Sequence, residues 1–483
     1  MAVALACAPV HAQLPSLGGN GDLSVSAERK LGQQVARELF RDPDYIEDPV
    51  IDEYVLKIWT RLIAAARARG DLAPEIDERF AWEVLIGKDP TINAFALPGG
   101  YMGLNLGLLS VTTRPDELAG VLGHELTHVT QRHISRMMAQ QSRQFPIMLA
   151  AMILGALAAS KSADAAQAAI MGGQALAIQN QLNFTRDMER EADRIGLQVA
   201  TEAGYDAQGF IAMFEKLQQA ARLNDAGHYP YLRTHPMTTE RIAEIQQRIQ
   251  LAAPVPRREP DMVHMMMAGR ARVLSEPGVD ALRSFVADQA IRLDAGNPAR
   301  EAGAVYSAAL AHARMQDTKA ALALTQRLAK LAEGNAEAAR QVRLLEAEIA
   351  LAAGNAKPAE ALADSSQRPE VMLSSQARIH HGGAAAASDK LQTWVALQPR
   401  DAMGWQLLGQ AYAAQGQPLR AIRAEAESRA AQLDWQGALD RLRAAQDVAR
   451  RGAPGARDHI EASIIDTRAR EMQSLLREEA LER

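Results

Sequence analysis

Apolar and polar positions alternate at helical spacing over most of the chain. The pattern predicts helices over Ala27–Phe40 and Val50–Arg69. It changes between residues 80 and 110, where FAWEVLI and INAFALPGGYMGLNLGLL are strand-like runs. Pro98-Gly99-Gly100 breaks them and signals a turn between two extended pieces. Pro115, followed by Asp116 and Glu117, opens another helix: proline suits a first turn, and acids suit its positive end. Leu118, Val121, Leu122 and Val129 give that helix an apolar face to bury. Helical periodicity returns at Asp187 and runs, with breaks, to about Gln250. Residues 252–260, AAPVPRREP, hold three prolines in nine positions and read as a linker. Everything beyond is alanine-rich amphipathic helix, punctuated by Gly-Asn turns at 296–297, 334–335 and 354–355. A long helix near Asp458–Arg483 closes the chain.

Within that tail, Trp405, Leu408, Gly409 and Tyr412 are spaced as in the opening of a tetratricopeptide repeat, and Gly416 ends the first helix. Val305, Ala308, Ala309 and His312 hold the equivalent places 100 residues earlier, close to three repeat periods. The expected organisation is therefore a first globular unit over 13–251, the linker at 252–260, repeats over 261–450 and a C-terminal helix over 451–483.

Composition narrows the picture. Hydrophobic residues make up 48% and charged residues 23%, which is globular usage, while aromatics are only 4%. Abundant alanine favours helix over sheet. The net charge of −5, without a long basic run, argues against nucleic-acid binding, which needs a concentrated basic face. Residues 2–12, AVALACAPVHA, place small residues at the first and third positions before a cut after Ala12. We expect residues 1–12 to be a signal peptide, removed with Cys7, the only cysteine. No segment reaches the ~20 apolar residues of a membrane span. The apolar run Pro146–Ser160 is expected to be a lid over a cleft, a patch lying on a membrane surface, or a buried core helix.

The chemistry centres on His124-Glu125-Leu126-Thr127-His128. Histidines at i and i+4 lie on one helix face and can bind one metal ion through a nitrogen each. Glu125 is rotated by about 100° and flanks the metal, where it can take a proton from the attacking water and pass it to the leaving amine. A structural zinc site has no use for that glutamate. A catalytic zinc needs a third protein ligand and an open position. The acid-dense segment 187–193 offers candidates. Glu189 and Asp193 share a face there, so one can bind the ion and the other orient a histidine, while Glu191 points elsewhere. His133, near the end of the motif helix, reads as a favourable C-terminal charge.

HELTH, followed 61 residues after His128 by Glu189-Arg190-Glu191-Ala192-Asp193, resembles the zinc peptidase clan of HtpX and the CAAX prenyl protease. NAFALPGG before the motif and THPMTTERI after it fit the same clan. The resemblance covers roughly residues 25–250. It implies one zinc ion per chain on His124, His128 and Glu189, with Asp193 behind a ligand and Glu125 as the catalytic acid–base. It implies that Asn93, Ala94, Phe95 and Ala96 form an edge strand that pairs with the substrate backbone. His235 and Arg241, six apart, are implied either to stabilise the oxyanion or, for His235, to take the fourth zinc position and hold the enzyme latent. The fold expected is mainly α: a zincin-like α+β peptidase unit with a small sheet beside the HExxH helix, then an all-α TPR-like solenoid.

These readings predict a zinc metalloendopeptidase of the gluzincin type, exported to the periplasm, with or without peripheral contact to the outer membrane. Its substrates are expected to be unfolded or misassembled envelope proteins, since extended binding needs a non-native chain. The repeats would recruit clients or the outer-membrane assembly machinery. The alternative is a chaperone-like binding or assembly factor whose peptidase site is mostly latent.

Overall fold

The computed structural model describes residues 23–139, 186–223, 230–235, 238–250, 259–292, 296–451 and 458–481. The expected signal peptide, the apolar run 146–160 and residues 252–258 of the proline-rich segment lie outside the described residues.

Local chemistry sets the element boundaries. Helix α1 (Val25–Arg41) starts at Ser24, whose hydroxyl accepts from the Ala27 N–H. Helix α2 (Pro49–Arg69) combines an Asp48 cap, proline in its first turn and Gly70 at φ +79° after its end. A short helix α3 (Pro74–Arg79) leads into three strands, β1 (Glu83–Gly87), β2 (Ala94–Ala96) and β3 (Tyr101–Asn105). The sheet order is β1-β3-β2, with β1 parallel and β2 antiparallel to the central β3. The Pro98-Gly99-Gly100 turn between β2 and β3 needs its glycines. Their φ angles are +70° and +83°, and a Cβ on either would lie 2.7 Å from Arg29 Cα or Phe80 Cβ.

Helices α4 (Leu106–Val111), α5 (Pro115–Thr130) and α6 (His133–Ala139) follow. Then come α7 (Arg186–Glu202), α8 (Ala207–Leu223), α9 (Pro230–Thr234) and α10 (Thr239–Gln250). Helix α5 carries the HELTH motif and is buried from Asp116 to Thr130. It packs against α2, α7, α8 and β2. Leu118, Leu122 and Leu126 enter a core with Trp59, Leu62, Phe210 and Phe214. Each such leucine contributes roughly 1.5–3 kcal/mol, so the motif helix is anchored on every side.

Beyond residue 258, α11 (Met262–Ser275), α12 (Val279–Arg292), α13 (Pro298–Arg314) and α14 (Thr318–Leu331) pack as successive helices. They continue into α15 (Ala336–Ala352), α16 (Lys357–Glu360), α17 (Arg368–His380) and α18 (Ala384–Leu397). The chain closes with α19 (Ala402–Ala414), α20 (Pro418–Ala431), α21 (Trp435–Arg451) and α22 (His459–Leu481). The Gly-Asn pairs divide their labour. Gly334 turns the chain at φ +81° and Asn335 then caps α15; Gly296 and Asn297 do the same before α13. Leu408 and Tyr412 of α19 are buried in a cluster with Ala421 and Ala424 of α20.

Acids on and just before α2 tie the tail to the first unit. Asp48 pairs with Arg270, Asp52 with Arg368 and Glu53 with Arg340, at 2.6–2.7 Å. At the other end Arg37 of α1 meets Glu479 of α22 at 2.7 Å. The mainly helical architecture with one small sheet agrees with the fold expected from the sequence. Among the described residues no helix is long and apolar enough to cross a membrane.

Candidate metal centre

His124 and His128 lie one turn apart on α5 and are fully buried, with their Nε2 atoms 3.0 Å apart. Helix α7 reaches them because glycine faces glycine. A Cβ on Gly196 would sit 2.9 Å from backbone atoms of Gly123 and His124, so only glycine allows this approach. That contact brings Glu189 and Asp193, one turn apart on α7, to the two imidazoles. His235 arrives from the end of α9, where its N–H donates to the Tyr231 carbonyl.

One ligand atom from each of His124, His128, Glu189 and His235 lies within 4.8 Å of all the others. His124 Nε2 is 3.4 Å from His235 Nδ1 and 3.6 Å from Glu189 Oε2; His128 Nε2 is 3.5 Å from Glu189 Oε1. A tetrahedral ion with ligand bonds of about 2.0–2.1 Å has edges of about 3.3–3.4 Å; the His124–His128 contact at 3.0 Å and the contacts to the two separate Glu189 oxygens lie on either side of that value. The chemistry fits such an ion. His124 Nδ1 lies 3.0 Å from Asp193 Oδ1; a proton on that nitrogen would face the carboxylate and leave Nε2 as a lone pair. Imidazole lone pairs converging with a carboxylate repel one another unless they share an electrophile.

Arg241 anchors the acidic side. Its Nε and Nη2 donate to Asp193 at 2.7 and 2.8 Å, and Nη1 pairs with Glu189 Oε2 at 2.7 Å. Burial alone would raise the pKa of Glu189. The His235 charge and hydrogen bond, with His124 and Arg241, hold it below the usual carboxylate value. Asp193 is likewise net lowered, against burial, by its bonds to Arg241 and His124. Burial and the neighbouring imidazoles push His128 well below its ordinary value. Burial lowers His235 too, but Glu125 and Glu189 outweigh it and the net direction is upward.

Glu125 is 0% exposed and flanks the histidines. Its Oε2 accepts the Ala96 backbone N–H at 2.9 Å, and its Oε1 lies 3.5 Å from His235 Nε2. Strand β2 is the sheet edge on this side. Asn93 and Leu97 hydrogen-bond β3, so by alternation Ile92, Ala94 and Ala96 turn their backbone groups away from it. Ile92 O receives the Tyr231 N–H at 3.5 Å, and Ala96 N–H is held by Glu125. Phe95 turns its side chain onto Gly103, where a Cβ would lie 2.1 Å from the ring.

Three residues at the site escaped the sequence reading or were misassigned. His133 is not a helix C-terminal charge. Arg132, at φ +53°, ends the turn after α5, and His133 starts α6 with 0% exposure. Burial lowers its pKa to about 4, so it is neutral at ordinary pH. Its Nδ1 is 2.8 Å from His128 Nδ1 and its Nε2 is 3.0 Å from Glu191 Oε2. Glu191 thus points away from the ligands yet joins them through His133. Tyr231 stacks on His235, with ring centroids 4.7 Å apart, and its buried hydroxyl has no hydrogen-bond partner among the described residues. Its i, i+4 spacing from His235 was the available sequence signal.

Two histidines of an H-E-x-x-H helix, a glutamate from a second helix and a carboxylate beside them form the arrangement of a metallopeptidase. The chain belongs to peptidase family M48, whose model matches residues 54–249. It is 30% identical to the Beta-barrel assembly-enhancing protease of Escherichia coli K12, over 87% of this chain and 85% of that protein. It is 34% identical to the Putative beta-barrel assembly-enhancing protease of Vibrio cholerae, over 58% of this chain and 57% of that protein. The Mitochondrial metalloendopeptidase OMA1 of Schizosaccharomyces pombe is 28% identical, over 50% of this chain and 67% of that protein.

Proposed function

We propose that this chain is a zinc-dependent endopeptidase that cleaves unfolded or misassembled proteins of the bacterial envelope. The observation that carries the reading is the convergence of His124, His128 and Glu189 beside the buried carboxylate of Glu125. Zinc held by those three residues would polarise the scissile carbonyl and lower the pKa of the attacking water. Glu125 takes the proton of that water and returns it to the leaving amine. Asp193 fixes His124 through Nδ1, and Arg241 holds Asp193 and Glu189 in place. With its guanidinium spent on those two carboxylates, Arg241 acts in this reading by positioning ligands, and the oxyanion role falls to His235. An extended substrate pairs with the outward backbone groups of Ala94 and Ala96, beside Asn93 and Phe95.

The buried cluster also favours a latent resting state. His235 is 1% exposed and reaches both Glu189 and Glu125, which supports a role as the fourth ligand. In that state the helical tail, residues 261–450 with the closing helix 451–483, would grip clients or assembly partners while the peptidase unit, 13–251, stays shut. The names of the Escherichia and Vibrio relatives point to β-barrel assembly, which supports a periplasmic place for this chain, with outer-membrane proteins as clients.

Digestion of casein by the zinc-loaded chain, beside Glu125→Gln, tests the reading. We expect cleavage by the parent and at least a ~10²-fold loss in the variant, with its zinc retained. Equal cleavage by both proteins would remove Glu125 from the chemistry.

A further inference from the structure

The two imidazoles of the HELTH motif are oriented differently. His124 meets a carboxylate directly, through Asp193. His128 meets another imidazole, with its Nδ1 2.8 Å from Nδ1 of His133, and His133 continues through Nε2 to Oε2 of Glu191 at 3.0 Å. Glu191 is in turn held by Arg136 at 2.8 Å, one turn along α6 from His133. Both rings are fully buried, whereas the Glu191 side chain is 28% exposed and sits at the rim.

The carboxylate at the end of this chain selects one proton arrangement. A nitrogen–nitrogen contact needs one donor and one acceptor. If His133 donated from Nδ1, its Nε2 would be a lone pair facing the Glu191 carboxylate, which is repulsive. With the proton on Nε2 instead, His133 donates to Glu191 and accepts from His128. That leaves His128 protonated on Nδ1, with its Nε2 lone pair directed at the cluster. The backbone takes a left-handed residue to achieve this. Arg132, at φ +53°, turns the chain so that His133 folds back onto His128, and Glu28 of α1 holds the Arg132 side chain at 2.9 Å. Continuing α5 would carry residue 133 about 140° further round the helix axis than His128.

We infer that His133 and Glu191 are positioning residues that fix the tautomer and ring orientation of His128 for metal binding. The inference rests on the metal reading of His124, His128 and Glu189 given above. All three acids, Glu189, Glu191 and Asp193, come from the first two turns of α7. That one helix therefore supplies a ligand and the ends of both orienting chains, the longer of which passes through His133.

The test is zinc affinity of the full chain by competition with a chromogenic chelator, together with the melting temperature of the metal-free protein. His133→Phe keeps an aromatic ring, somewhat larger than imidazole, and removes the acceptor; Glu191→Gln keeps the shape at a partly exposed position and removes the charge. Zinc affinity is expected to fall roughly 10–100-fold for His133→Phe and about tenfold for Glu191→Gln, with metal-free melting of Glu191→Gln unchanged. The double variant should bind zinc no more weakly than His133→Phe alone, because one broken link frees His128 as fully as two. Parental zinc affinity in folded Glu191→Gln, or losses that multiply in the double variant, would overturn the inference. If His133→Phe does not fold, the affinity of Glu191→Gln decides alone. His128→Ala separates the two levels. Parental zinc affinity in that variant would sink the metal reading itself, whereas loss there with parental affinity in Glu191→Gln sinks only the relay.

Discussion

Gly123 of α5 and Gly196 of α7 face each other so closely that a Cβ on Gly196 would lie 2.9 Å from Gly123 C, Gly123 O and His124 N. Glu189 and Asp193 reach the imidazoles because of this contact. Alanine at 196 gains about 1 kcal/mol in helix propensity, but the atoms it meets are backbone of a helix packed on every side and cannot rotate away. The steric term should win. Gly196→Ala is expected to destabilise the protein by about 1–3 kcal/mol and to weaken zinc binding, read by urea unfolding and zinc titration. Unchanged stability and affinity would show that α7 can shift freely, against this account.

His235 distinguishes a latch from a transition-state group. Its Nδ1 lies 2.9 Å from Glu189 and 3.4 Å from His124 Nε2, inside the ligand cluster. As the fourth ligand it must leave before a substrate carbonyl can enter. His235→Ala should then raise basal cleavage of casein several-fold at equal zinc loading. A fall in cleavage, with zinc retained, would assign His235 to the transition state instead.

Acid should loosen the junction between α2 and α11 through His264. This ring is 0% exposed, with Nδ1 2.6 Å from Tyr54 Oη and Nε2 2.8 Å from Thr112 Oγ1. Burial, aided by Lys216, lowers its pKa to about 3. The unfolded chain takes up this proton near pH 6.5 and the folded chain only near pH 3, so between those values the unfolded state binds more protons. Stability from this group is complete above pH 6.5 and falls on acidification, by up to about 1.4 kcal/mol per pH unit. His264→Gln removes that term. The stability gap between parent and variant should narrow by about 2 kcal/mol from pH 7 to pH 5 in denaturant titrations. A gap that stays constant would contradict a neutral buried His264.

Much of the site was legible in the chain because its spacing is local. His124 with His128 and Glu189 with Asp193 are i, i+4 pairs, so helix geometry alone assigns each pair to one face. The Pro98-Gly99-Gly100 turn and the Gly-Asn junctions were legible for the same reason. His133 was misread because its position depends on one residue. Extending α5 makes it a terminal charge, and only the left-handed Arg132 folds it back onto His128. The Ala96 to Glu125 hydrogen bond and the burial of Tyr231 depend on how a sheet edge, α5 and α9 meet in space. No periodicity records such meetings.

In the proposed reading, His124, His128 and Glu189 hold one zinc ion. Elemental analysis of the purified full chain beside His124→Ala/His128→Ala tests it most directly. About one zinc per parent chain is expected, and essentially none in the double variant. Zinc retained by the double variant, or no zinc taken up by the parent from a zinc-containing buffer, would contradict it.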